Sequence, residues 1–86
     1  MTPYSLFFKD SVEKDLRRLP RAVCARCLAR AEALSDDPRP RGAVKLAGLE
    51  RTYRLRVGRY RVIYQVDDER RTVTVQHVRH RSGAYD

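Results

Sequence analysis

Arg54, Arg56 and Arg61 sit close together in the stretch RTYRLRVGRYRVIYQV, residues 51–66. Guanidinium groups make forked contacts with phosphate and stay charged at any physiological pH. A cluster of them can hold a phosphodiester and neutralise charge that develops on its oxygens. Other residues of chemical interest are Cys24-x-x-Cys27, His77-x-x-His80 and Tyr85. The two Cys/His pairs lie much further apart than the about 12–15 residues that separate the halves of a zinc finger. On a strand, His77 and His80 point to opposite faces. The cysteines fall inside a helix, where they read as two small core-facing side chains. No metal site and no cofactor is expected. No glycine-rich phosphate loop and no Ser-His-Asp set is visible, and Asp67-Asp68-Glu69 reads as a solvated turn.

The arginines need a strand pair to gather them. Tyr53, Leu55 and Val57 alternate with Arg54 and Arg56, and Tyr60, Val62, Tyr64 and Val66 alternate with Arg61, Ile63 and Gln65. A period of two with aromatic and β-branched residues marks half-buried strands. Gly58-Arg59 suits a two-residue type II′ turn, which takes glycine first. That turn sets Val57 against Tyr60, Arg56 against Arg61, Leu55 against Val62, Arg54 against Ile63, and Tyr53 against Tyr64. One face is apolar. The other collects Arg54, Arg56 and Arg61, although like charges directly opposite one another are destabilising. A solvated sheet face tolerates this when the heads stay wet and the stems cover apolar surface.

The hairpin in turn needs a scaffold. YSLFF, residues 4–8, predicts a first strand. Asp10 with Glu13 has capping-box spacing, and Val12, Leu16 and Leu19 share one face of a short helix. Pro20 stops it and can open the next. Val23, Cys27, Ala31 and Leu34 line a second helix, with Arg21, Arg26 and Arg30 outside. Residues 38–50, with Pro38, Pro40, Gly42 and Gly48, read as a basic loop carrying Lys45. TVTVQHV, residues 72–78, predicts a last strand. The expected order is β-α-α-β-β-β, an α+β fold with two helices on one face of a small antiparallel-rich sheet. Residues 1–86 form one domain.

Net charge is +8, from 19 Lys and Arg against 11 Asp and Glu. The excess concentrates in residues 39–61, where Glu50 is the lone carboxylate. Such a surface predicts an anionic partner, nucleic acid or acidic protein, and the preference for arginine over lysine suits RNA or DNA. No apolar run reaches the about 18 residues of a membrane span. Two cysteines without a signal-peptide core predict the reducing cytoplasm.

Across nearly its whole length the sequence resembles the RelE/ParE superfamily of bacterial toxins. The resemblance rests on the opening strand followed by KDSVEKDLRRLP, on KLAGLE, on YRLRVGRYRVIYQV and on HVRHRSGAY. The most specific block is Arg-x-Gly-x-Tyr-Arg-x-x-Tyr, Arg56 to Tyr64. RelE-like members cut messenger RNA in the ribosomal decoding site, without metal. ParE-like members poison DNA gyrase and keep little of the basic set.

The RelE resemblance implies a type II toxin restrained by an acidic antitoxin and acting on mRNA and the ribosome. It places Arg61 on the scissile phosphate, Arg79 as a second functional arginine, and Tyr85 as a functional tail tyrosine. Arg54 and Arg56 fall where RelE-type toxins commonly carry lysines. Lys45 and Arg81 are further RNA-binding cations. Arginine is a poor general base, so His80 or Tyr85 is expected to take the proton. Arg39 matches no family residue and reads as a plain loop cation. The alternatives are a gyrase-poisoning inhibitor and a non-catalytic nucleic-acid module.

Overall fold

In a computed structural model, which describes residues 3–80, the chain forms a five-stranded sheet and two helices. In chain order these are β1 (Ser5–Phe8), α1 (Asp10–Arg17), α2 (Arg21–Ala33), β2 (Val44–Lys45), β3 (Thr52–Val57), β4 (Tyr60–Asp67) and β5 (Thr72–His80). The spatial order is β1-β5-β4-β3-β2, with β1 parallel to β5 and the other pairs antiparallel. The α+β class and the helices-then-hairpin order agree with the sequence reading. The loop expected over 38–50 differs, because Val44 and Lys45 pair with Arg54 and Tyr53 as a short edge strand. Two residues are too few to show a period.

The helices cover one face. Val12, Cys27, Ala31 and Leu34 pack against Leu55, Val57, Val62, Tyr64, Val66, Val73, Val75 and Val78. The β3–β4 register matches the one deduced from the turn, from Val57↔Tyr60 to Tyr53↔Tyr64. Gly58 supplies the positive φ of 59° that the first turn position demands. Capping at α1 is a correction. Lys9 occupies the N-cap position, Asp10 is the first helical residue, and no side chain caps the end. Pro20 takes the N-cap position of α2.

A β-bulge sets the last strand. Ile63 pairs with His77 but Tyr64 pairs with Val75, so Gln76 is the extra residue on β5. The bulge lets Val75 and Val78, three apart, both face the core. It also returns His77 and Arg79 to the uncovered face.

The end of the sheet near the β4–β5 turn is locked by a polar cluster. Arg39 donates from Nη2 to Asp68 Oδ2 at 2.7 Å and from Nη1 to Oδ1 at 3.2 Å. Its Nε donates to the Tyr53 hydroxyl at 3.0 Å. The Tyr4 hydroxyl donates to Asp68 Oδ1 at 2.6 Å, and the Arg71 guanidinium lies 4.5 Å from the Tyr4 ring centroid. Arg39 is therefore a strut between the loop, β3 and the β4–β5 turn, not the plain loop cation expected from sequence. Nearby, the buried Tyr64 hydroxyl donates to the Pro38 carbonyl at 2.8 Å.

Candidate active site

The face that the helices leave open carries two rows of side chains. Arg56, Arg61 and Arg79 are successive cross-strand partners on β3, β4 and β5. Beside them run Arg54, Ile63 and His77, and Val44 of β2 extends that row at the edge. Strands lie about 4.8 Å apart, so each three-residue row spans about 10 Å. Further along, the same face changes character to Gln65, Thr72 and Thr74. The arginines borne on the strands gather in one half, while Arg51 and Arg70 line a groove in the other together with Glu50 and Asp67.

Arg61 is the centre of the basic half. It is 8 % exposed, while Arg56 and Arg79 on either side are exposed. A buried guanidinium flanked by two others is costly to maintain unless an anion is near. Asp15 of α1 brings one carboxylate to the row, with Oδ2 3.9 Å from Arg79 Nε. The same oxygen accepts the Val78 backbone N–H at 3.1 Å. The β1 pairing ends at Phe8↔Val75. Beyond it Asp15 supplies an acceptor that the missing strand would have given.

His77 enters this face although sequence reasoning chose His80. Arg79 Nη2 lies 3.4 Å from His77 Nδ1. Burial and then the Arg79 charge push the His77 pKa below the usual histidine value, against the pull of Asp15. The signal was available, since residues 77 and 79 of one strand must share a face. His80 pairs with Tyr60 on the helix-side phase, its ring edge-on to the tyrosine at 5.2 Å between centroids. Lys45 is also on that phase, opposite Tyr53. It lines a separate groove of mixed charge with Arg39, Arg51, Asp67 and Asp68. The structure thus brings together Arg54, Arg56, Arg61 and Arg79, and not His80 or Lys45. Arg81 and Tyr85 lie outside the described residues.

Cys27 points into the core, where burial pushes its thiol pKa up, and Cys24 is half-buried beside it. Both are free cysteines on α2. Among the described residues no three His, Cys, Asp or Glu side chains gather as a metal site. Among them, too, no helix is long and apolar enough to cross a membrane.

Comparison with known proteins joins a ParE family model to relatives named as RelE-type toxins. Residues 6–85 match the family model described as the ParE toxin of the type II toxin-antitoxin system parDE. The chain is 34% identical to toxin RelG of Mycobacterium tuberculosis over 84 residues, covering 96% of this chain and 97% of that protein. It is 32% identical to toxin RelE of the same organism, covering 96% of this chain and 87% of that one. Among solved structures, the archaeal RelE-RelB complex from Pyrococcus horikoshii OT3 matches with a TM-score of 0.83 at 34% identity. That match covers 98% of this chain and 100% of the other.

Proposed function

Since the chain belongs to the RelE/ParE superfamily, as a type II toxin of the RelE-like branch, we propose that it is a metal-independent endoribonuclease that cleaves messenger RNA on the ribosome. The observation that carries the reading is the row Arg56–Arg61–Arg79, with Arg61 buried at its middle. A phosphodiester laid across this row meets three guanidinium groups. Arg61 and Arg79 hold the scissile phosphate, and Arg54 and Arg56 take the neighbouring backbone. The ribose 2′-OH attacks the adjacent phosphorus. Charge growing on the phosphoryl oxygens is met by donors already in place, the kind of stabilisation that often dominates rate. The products are a 2′,3′-cyclic phosphate and a 5′-OH. Tyr85 stacks on a base and Arg81 adds a tail cation. His80 and Lys45, on the other phase of the sheet, stand outside this core set.

The partner that restrains it is an acidic antitoxin. The net charge of +8 and the basic face support this, as does the similarity to toxins solved in complex with RelB. One observation favours a second reading, gyrase poisoning without catalysis: arginine at 54 and 56 removes the side chains that could serve as base. The deciding experiment incubates the purified chain with end-labelled mRNA on ribosomes in their ordinary magnesium buffer and, in parallel, with gyrase and DNA. Cleavage leaving cyclic phosphate and 5′-OH ends supports the nuclease. Intact mRNA, with gyrase trapped on DNA, supports the second reading.

A further inference from the structure

Resting on the ribonuclease reading above, we propose that His77 is the proton acceptor of the site, taking the 2′-OH proton of the nucleotide whose phosphate lies on the Arg56–Arg61–Arg79 row.

Four observations carry it. First, position: His77 sits next in the adjacent row, two residues from Arg79 on β5 and diagonal to Arg61 on β4. Diagonal neighbours on one sheet face are about 7–8 Å apart, close enough for a nucleotide to touch both. Second, chemistry: the cations that share the two strand rows with His77 are arginines, which have no lone pair to offer near neutral pH. An imidazole has one. Third, the contact with Arg79: guanidinium nitrogens only donate, so the approach of Nη2 to Nδ1 suits the imidazole whose Nδ1 is unprotonated. When a phosphate draws Arg79 onto itself, that lone pair is released beside the nucleotide. Fourth, surroundings: Arg79 on its own strand, Arg61 on β4 and Lys9 before α1 are cations, and Asp15 on α1 is the opposing carboxylate. Burial, then the charges of Arg79 and Lys9, outweigh Asp15, so the imidazole is held in its basic form at neutral pH. His80 lies instead against Tyr60 on the other phase of the sheet.

In the step, a bond forms between the 2′ oxygen and phosphorus as the bond from phosphorus to the 5′ oxygen breaks. The 2′-OH proton moves to His77, and the departing 5′ oxygen takes a proton from water. The imidazolium then returns its proton to solvent. No oxidant, reductant or metal enters the balance.

The test is single-turnover cleavage of labelled mRNA on ribosomes by the native chain, His77→Gln, His77→Asn and Arg61→Ala, from about pH 5 to about pH 9. The native rate should rise with pH through one ionisation below the ordinary histidine value, then level. Both His77 variants should melt and bind RNA like the native chain, yet cleave roughly 10²–10⁴-fold more slowly with that ionisation gone. A purely structural role would lower the rate but keep the pH profile. If either His77 variant folds and keeps the native rate or the native profile while Arg61→Ala is dead, the nuclease stands and the role of His77 is refuted. If the native chain leaves mRNA intact, the nuclease reading falls and takes this one with it.

Discussion

Asp15 Oδ2 accepts the backbone N–H of Val78 at 3.1 Å, joining α1 to the strand that carries His77 and Arg79. The carboxylate is buried, so losing it strands a buried N–H. Asp15→Ala should therefore cost about 1–3 kcal/mol of stability. It should also slow cleavage, because β5 loses its anchor on both sides of Val78. Asp15→Asn keeps an acceptor but drops the charge beside Arg79. Urea unfolding read alongside cleavage separates the two: Asn should recover most of the stability.

The basic row needs a control for plain charge. Arg39 is unsuitable, because its removal breaks the contacts to Asp68 and Tyr53. Arg41 is exposed in the same loop and serves instead. Arg61→Ala and Arg79→Ala should each reduce cleavage by at least about 10²-fold, as expected for donors aimed at developing charge. Arg41→Ala should stay within a few-fold of native. Equal losses in all three, measured as kcat/KM, would reduce the surface to an electrostatic attractor.

Acid should loosen the far end of the sheet first. The hydrogen bonds from Arg39 and then Tyr4 hold the Asp68 carboxyl below its ordinary value. A depressed carboxyl adds stability that is present above its unfolded value and lost as pH falls through the folded one. Melting temperature should therefore fall as pH drops below about 4. Asp68→Asn should start lower at neutral pH and lose less on acidification. Parallel curves for the two proteins would show that Asp68 is not linked to stability.

How far the sequence reveals this depends on the element. The β3–β4 register was legible because Gly58-Arg59 fixes the turn and the period of two fixes the faces. The pairing of Arg56 with Arg61 followed directly. The role of Arg39 was hidden, since its partners Tyr53 and Asp68 are distant in sequence and meet only after the sheet forms. Asp15 was hidden for the same reason: its acceptor role exists only where β1 stops short of Val78. His77 and His80 show a mixed case. Alternation alone puts His77 with Arg79, but the reading by resemblance led to the tail and to His80. The bulge at Gln76 could not be foreseen, because it depends on packing Val75 and Val78 together under the helices.

Tyr64 offers a stability test that leaves the basic face alone. Its ring is buried in the core, and its hydroxyl donates to the Pro38 carbonyl at the start of the loop. Burial pushes its pKa well above the ordinary tyrosine value, so the hydroxyl stays protonated and donating. Tyr64→Phe removes one buried hydrogen bond and leaves the carbonyl without that donor. The expected cost is about 1–2 kcal/mol in chemical denaturation, with cleavage within a few-fold of native. A loss of cleavage far beyond the loss of stability would mean that the loop from Pro38 shapes the RNA path.

Tyr85 tests the tail. In the proposed reading Tyr85 stacks on a base, and a ring so stacked is worth roughly 1–3 kcal/mol in single-stranded complexes. Tyr85→Ala should leave the melting temperature near native and cut cleavage by about 5-fold to about 160-fold, the range that such a stacking loss converts to. Tyr85→Phe then divides two roles. Retained cleavage means that stacking is enough, with His77 as acceptor. Lost cleavage means that the hydroxyl orients or carries a proton. The double variant His77→Gln with Tyr85→Phe decides between shared and separate duty. Two groups acting in one proton transfer give far less than the product of the single losses. Independent stacking and proton transfer give the full product, as expected if the ring holds the base while the imidazole takes the proton.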